Sequence, residues 1–465
     1  MTDEQLEASL QKMRDDGVSD IGLATFAHYF ERLRAGEAGE LAESDIEPVA
    51  ELPDADELPD DEEGARAALQ HTVVIKLNGG LGTSMGMTGP KSLLEVKDGL
   101  TFLDIVVRQI YDLRERTGAR LPLVLMNSFA TRDPSLEALR AYPDLAVDGV
   151  PADFLQGRMP KLEADGLGPV EWAADPALEW APPGHGDLYP SLLSSGLLDA
   201  LLDAGYKHAF VANVDNLGAV MDERILAWFA REEIPFLMEV ADRTPADRKG
   251  GHLARRAGGG GDGLVLREVA QTPDADLDAF QDIDRHRFFN TNTLWVDLRA
   301  LSAVLSERDG VLGLPMIVNR KTVDPGDAGS PPVLQLETAM GAAIDVVEGA
   351  QAIRVGRERF APVKTCNDLL ALRSDAYELH DDGRVVVAEG RTGAPLVDLD
   401  PDHFKLVRDF DARFEAGPPS LVDCESLTVR GDVAFGADVV VRGAVEIEHG
   451  GEDQLRIEDG ATLEG

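Results

Sequence analysis

Residues 76–92 read KLNGGLGTSMGMTGPKS. Gly79, Gly80, Gly82 and Gly86 crowd one short run, and Gly89 stands just before Pro90-Lys91-Ser92. The residues before it, HTVVI at 71–75, are apolar and β-branched, which predicts a buried strand. A strand that feeds a glycine-rich loop is a common way to bring backbone N–H groups close to phosphate. Two familiar forms of such a loop do not fit. A Walker loop places Gly directly before Lys-Ser, and here Pro90 intervenes. A dinucleotide fingerprint, G-x-G-x-x-G, would need glycine where Met85 stands; Gly86 comes one residue late. Pro90 also opposes a helix running through the stretch.

Outward from this loop, the chain from 66 to about 385 alternates apolar strands with helical segments. Strands are expected at TVVIKL, LPLVLMNS, HAFVANVD, IPFLMEV, FFNTNTLWVDL and QAIRVG, with helices such as Ser191–Asp203 and Asp222–Arg231 between them. This alternation predicts an α/β fold with a mixed, mainly parallel sheet. The run RRAGGGGDG at 255–263 reads as a hairpin turn. Residues 3–34 have helical apolar spacing, with Leu6, Leu10 and Met13, then Leu23, Phe26, Tyr29, Phe30 and Leu33. Residues 36–64 are acidic and proline-bearing, without periodicity. They read either as a linker or as an extended arm lying on the core.

The C-terminal part changes character. Val429, Phe435, Val441 and Ile447 recur at a period of six, as do Leu427, Val433, Val439 and Val445. After EHGGEDQ the pattern resumes with Ile457 and Leu463. This period, with glycines between, predicts a parallel β-helix, with a free end able to serve as a contact between copies of the chain. An ordinary β-meander is the alternative. The expected units are 1–65 (helical segment and acidic linker), 66–385 (α/β domain) and 386–465 (β-helix).

Composition narrows the function classes. The chain has 465 residues and 85 Asp plus Glu against 44 Lys plus Arg, a formal charge of −41. Such a surface repels nucleic acid and anionic membranes, so any phosphate must be met by a local cationic site. No apolar run approaches the roughly 20 residues needed to span a bilayer. The opening MTDEQLEASLQK is charged and reads as carrying no signal peptide. Two cysteines make no disulfide framework, and a cytoplasmic location is expected. Only 10 of the basic residues are Lys, against 34 Arg, so each lysine is mildly informative.

The loop resembles the L-x-G-G-x-G-T-x-x-G…P-K signature of nucleotide-sugar pyrophosphorylases. In the form KLNGGLGTSMG…GPKS it looks like the eukaryotic-type UTP–glucose-1-phosphate uridylyltransferase family. Further matches follow in order: LMNSF at 125–129, PPGHGD at 182–187, NVDNLGA at 213–219, KGGHLA at 249–254, FFNTNTLW at 288–295, NRKTVDP at 319–325, QLETAMGAAI at 335–344 and RFAPVKT at 359–365. The resemblance covers nearly the whole chain. It implies a Rossmann-like nucleotidyltransferase domain of GT-A-like type, a C-terminal left-handed β-helix, and transfer of a uridylyl group from UTP to glucose 1-phosphate with Mg²⁺.

The resemblance also implies roles. Leu77, Gly79, Gly80 and Gly82 hold the nucleotide, with Met126 packing on it and Gly184 permitting close approach. Gln156 in DFLQGR offers a carboxamide complementary to the uracil edge. Lys91 reaches the phosphates, and Lys364 contacts the sugar phosphate and the α-phosphate. Asp215, at the carboxyl end of a strand where ligands of open α/β sheets bind, is expected to hold Mg²⁺; alone, such an Asp is as often a helix cap. His185, Asn213, Asn292 and Glu337 are expected around the sugar phosphate. Met126 as a core residue and Glu337 as an ordinary helix residue stay open as alternatives. Cys366 reads as packing. Rival readings are an N-acetylglucosamine or broad UDP-sugar enzyme, a non-catalytic UDP-sugar sensor, and an assembly protein using the β-helix.

Overall fold

The computed structural model describes residues 3–37, 39–258 and 263–465. Its framework is a ten-stranded mixed sheet. Seven strands run side by side in the order Gln351–Arg354, Phe236–Asp242, Phe288–Asp297, His208–Asn213, Thr72–Asn78, Leu123–Asn127 and Asp153–Leu155. Only Phe288–Asp297 runs against the others. Six strand ends therefore open on one edge, and the loops that leave them share one rim. All six strands anticipated from their apolar runs are present.

Alternation along each strand feeds two cores. Val73, Ile75, Val124, Met126 and Val211 face one cluster, with Leu198 and Leu301 from the helices Leu197–Asp203 and Leu298–Glu307. Val74, Leu125, Phe210 and Trp295 face the other, against Leu103, Val106 and Ile110 of the helix Phe102–Thr117. A sheet buried on both faces needs such continuous apolar strands. The single helix expected over Ser191–Asp203 is broken into Leu188–Ser194 and Leu197–Asp203 by Gly196 at φ +73°. Asp222 caps the helix Glu223–Arg231, accepting from the Arg224 and Ile225 amides.

Strands His252–Arg256 and Leu264–Arg267 pair antiparallel, as a hairpin requires; the turn anticipated at 255–263 lies partly outside the described residues. In the C-terminal part, strands pair in parallel. Leu427 and Val429 meet Val445 and Ile447, Val433 and Phe435 meet Leu455 and Ile457, and Val441 meets Leu463. The residues of the six-residue pattern thus stack on one another, and Leu427, Val429, Val433, Phe435, Val439 and Val441 are buried.

Of the two readings of the acidic stretch, the structure takes the second: it lies along the sheet. Ile46–Pro48 pairs antiparallel with 254–256. Arg354 donates to Asp54 at 2.5 Å, and its backbone N–H to Pro53 at 2.8 Å. Glu43 is the main anchor. It accepts from Arg267 and Arg285, each at 2.6 Å, and lies 3.0 Å from His286 Nε2. Burial pushes the Glu43 carboxyl upward, but hydrogen bonds from His286, Arg267 and Arg285 more than offset this and hold it below the usual range. A linker reading failed to foresee this because the cations lie more than two hundred residues downstream.

Arg267 is fully buried, and its other carboxylate, Asp276, lies at 3.4 Å. Glu43→Ala leaves that guanidinium largely uncompensated, which costs about 3 kcal/mol. The expected result is a lower urea midpoint and new protease cleavage within 36–64. An unchanged midpoint would show that Glu43 anchors nothing.

Candidate active site

The glycine loop leaves the carboxyl end of Thr72–Asn78 in the middle of the rim. Gly82 adopts φ +63°, a left-handed conformation that a side chain resists. The turn closes with Met85 N–H donating to Gly82 O at 2.9 Å and Lys91 N–H to Gly80 O at 3.0 Å. The Cβ position of Gly80 meets nothing within 4 Å, so its backbone is open to a ligand. A Cβ on Gly79 would lie 2.5 Å from Gln156 Oε1, so glycine there is what lets Gln156 lie over the loop.

Register assembles the next group. Leu77 sits between Asn213 on one neighbouring strand and Met126 on the other. These three side chains share one row and one face, and Met126 is buried with Phe154 beyond it. Gln156 follows that last strand, its N–H held by Asn127 O at 2.8 Å. Asp215, two residues past the end of its strand, accepts from Lys91 Nζ at 2.6 Å, with both side chains largely buried. Val363 N–H donates to Asp215 O at 3.3 Å, which brings the neighbouring Lys364 to the same loop. Lys364 is exposed, its ammonium 5.8 Å from the Phe360 ring, with no carboxylate partner within 4 Å among the described residues.

The remaining expected residues form a second group. Gly184 packs so tightly on Thr338 that a Cβ would meet its carbonyl at 2.5 Å and Glu337 Cβ at 3.2 Å. Glu337 lies on a strand, Pro332–Thr338, opposite Ile317, rather than on a helix; its carboxylate is 3.9 Å from Lys321. His185 Nδ1 accepts from the Met340 N–H at 2.9 Å. Burial lowers this histidine to about 4, so at neutral pH the ring is uncharged and its one proton sits on Nε2, free to donate. Asn292 has φ +57° within a bulge, where Glu239 pairs Thr293 but Val240 pairs Asn290. Its N–H donates to Asn290 Oδ1, and Asn290 Nδ2 donates back to Asn292 Oδ1, both at 2.9 Å. Asn290 in turn lies under Gly341, the residue after Met340.

Several contributors escaped the sequence reading. Lys76 is fully buried; its ammonium donates to Ala219 O at 2.9 Å. Burial lowers it to about 7, with nearby Arg359 acting the same way and Glu239 and Asp215 opposing. Glu239 is also fully buried. It accepts from Arg359 Nε at 2.7 Å, Arg359 Nη2 at 2.6 Å and Trp295 Nε1 at 2.9 Å. Glu268 packs against Gly251, and burial raises its carboxyl while the charge of Lys364 pulls it down. A lysine inside TVVIKLN was a visible signal; Glu239 and Glu268 had none that pattern alone could rank. Cys366 is buried, and burial pushes its thiol up to about 12, which suits packing and not nucleophilic attack.

Asp187 couples the two groups. Its carboxylate accepts from Gly157 N–H and Ser191 Oγ, each at 2.6 Å, so the Gln156 loop and the His185 loop are tied to each other. Burial raises it to about 6, against the pull of those two hydrogen bonds. A carboxyl raised in the folded state favours folding at low pH, and that contribution is lost as pH rises through about 6. Asp187→Asn keeps an accepting oxygen and removes the titration. Its stability relative to the parent is expected to rise by about 2–3 kcal/mol between pH 4 and pH 7 in urea unfolding; a flat difference would refute the shift.

With the geometry in place, similarity to known proteins can be stated. A sequence model of the family described as UTP–glucose-1-phosphate uridylyltransferase matches residues 23–442. The UTP–glucose-1-phosphate uridylyltransferase of Musa acuminata is 41% identical over 455 residues, 96% of this chain and 94% of the relative. That of Solanum tuberosum is 42% identical over 409 residues, 87% of this chain and 83% of the relative. A crystal structure of a UDP-glucose pyrophosphorylase mutant from Leishmania major in complex with UDP-glucose superposes with a TM-score of 0.92 at 47% identity, covering 99% of this chain and 98% of that one. The crystal structure of a UDP-glucose phosphorylase from Trypanosoma brucei gives a TM-score of 0.90 at 47% identity, with the same coverage. The chain belongs to the UTP–glucose-1-phosphate uridylyltransferase family.

Proposed function

We propose that this chain transfers the uridylyl group of UTP to glucose 1-phosphate, giving UDP-glucose and pyrophosphate. The observation that carries the reading is the Lys91–Asp215 pair at the rim of the sheet, between the glycine loop and the loop bearing Lys364. A protein of charge −41 that gathers two lysines beside one carboxylate and an open glycine backbone has built a place for phosphates.

The attacking oxygen belongs to the sugar phosphate, and pyrophosphate leaves opposite it, so positioning and charge neutralisation carry the rate. The Gln156 carboxamide faces the uracil edge, with Leu77, Gly79, Gly80, Gly82 and Met126 against the nucleoside and Gly184 leaving room beside it. The neutral His185 donates from Nε2, and Asn213, Asn292 and Glu337 meet the sugar hydroxyls and phosphate. Lys91 exchanges Asp215 for phosphate oxygens, and Lys364 meets the incoming sugar phosphate.

Asp215 is the carboxylate that would hold Mg²⁺. No cluster of three or more His, Cys, Asp or Glu suited to a metal exists among the described residues. One carboxylate fits the way Mg²⁺ is held mainly by substrate phosphates and water. When bound, the ion neutralises charge that builds on the phosphates.

The chain is further read as three units, 1–65, 66–385 and 386–465. The last is read as winding into a left-handed parallel β-helix, a reading supported by the stacked parallel register. Its final strands, Leu455–Ile457 and Thr462–Glu464, each pair on one side only among the described residues, an edge that suits a second copy; light scattering tests this. No helix among the described residues is long and apolar enough to cross a membrane. Both cysteines are free and buried, which favours a cytoplasmic setting.

The test is pyrophosphate release with UTP, Mg²⁺ and glucose 1-phosphate, with galactose and N-acetylglucosamine phosphates alongside. Release is expected with the glucose substrate and is expected to stop on chelation. Lys91→Ala is expected to lower kcat by about 100-fold or more, with UTP affinity changed far less. Equal losses in both would count against a role for Lys91 in pyrophosphate departure. Release with several sugars would assign a broader pyrophosphorylase.

A further inference from the structure

Lys364 reaches the site by an unusual route. Its loop begins at the end of Gln351–Arg354, and two strands, Phe236–Asp242 and Phe288–Asp297, separate that strand from the one leading to Asp215. The loop must cross both strand ends. Val355 N–H first donates to Val240 O at 2.8 Å. Arg359 then plugs into Glu239 and donates to Val220 O at 2.9 Å. What fixes the far end is the side chain of Asn216, only 2% exposed.

Each polar atom of that side chain is used on backbone. Nδ2 donates to Arg359 O at 3.1 Å. Oδ1 accepts from Ala361 N–H at 2.9 Å and from Gly218 N–H at 3.2 Å. Asn216 also forms a β-bridge with Pro362. Gly218 permits the contact, since a Cβ there would lie 2.4 Å from Glu358 O. One carboxamide therefore ties the loop of Asp215 to the loop of Lys364, and both ends of the tie are backbone groups.

We infer that Asn216 is a positioning residue that sets the separation of Asp215 and Lys364, and acts on the reaction only through them. Its polar atoms are spent on backbone, and the two partners it holds on the far loop, Arg359 and Ala361, lie within five residues of Lys364. The inference rests on the roles proposed for those two residues.

The test is steady-state turnover and UTP binding by calorimetry for Asn216→Ala, Lys364→Ala and the double variant, with thermal unfolding of each. Asn216→Ala is expected to lose 30- to 100-fold in kcat while its UTP dissociation constant stays within threefold. In the Lys364→Ala background the same change is expected to cost less than threefold, because a positioning residue has nothing left to position. Equal losses in both backgrounds, or turnover within threefold of the parent, would overturn the inference. So would a loss in UTP binding as large as the loss in rate. Asn216→Ser, whose hydroxyl can replace only part of the three hydrogen bonds, is expected to fall between and takes the place of the alanine variant if that one does not fold. Lys364→Ala at full activity would instead sink the role proposed for Lys364, whatever Asn216→Ala does.

Discussion

The ion pair between Glu239 and Arg359 is the constraint on which the rest of the site depends. Glu239 is wholly buried within the strand Phe236–Asp242, on a sheet whose core is mostly apolar. Its two oxygens are taken up by Arg359 and Trp295. Replacing such a pair by well-packed apolar residues is often neutral or stabilising, by about 1–4 kcal/mol. Stability alone does not account for it. What the pair achieves is placement: it pins a loop in mid-crossing, and the loop ends on Lys364.

Cations in this chain divide by geometry. Arginines serve mainly as forks into carboxylates and carbonyls that hold segments together, as Arg267 does for Glu43 and Arg354 for Asp54 and Asp242. Lysines were expected to mark function because they are scarce. That expectation sorts poorly by itself. Lys76, Lys97 and Lys161 end on backbone carbonyls, at Ala219, Ser374 and Val323, and Lys12 is shared between Val170 O and the Glu179 carboxylate. Lys91 is singled out by its partner, a carboxylate at the rim. Exposure, which Lys364 shares with Lys249, Lys321 and Lys405, does not single out Lys364, whose loop is tied to Asp215 through Val363 N–H.

Much of the fold was legible because strands that are buried on both faces leave an unmistakable apolar run, and six such runs became six strands. The row Asn213–Leu77–Met126 could also be anticipated in part, since each residue ends such a run. The acidic arm was not decided by sequence: residues 36–64 show no periodicity, and the cations that hold Glu43 and Asp54 are hundreds of positions away. The break at Gly196 was missed because one glycine in a helical pattern is usually tolerated. The sheet-crossing path of 355–365 was invisible for a stronger reason. Local pattern reports burial and period, whereas that path depends on which strands become neighbours.

That difference explains why the motif NVDN contains two kinds of information. Asp215 stands beyond a strand end, and its chemistry can be guessed from the residue alone. Asn216 looks like an ordinary polar loop residue until the strand order is known. Only then does its burial make sense. The strand that feeds the Lys364 loop lies three places from the strand that ends at Asn213, so proximity of Asp215 to Lys364 cannot come from the sheet. It has to be made by side chains that reach backbone across the gap. Arg359, held in place by Glu239, and Asn216 do this, the one ending on Val220 O and the other on the backbone of Arg359 and Ala361.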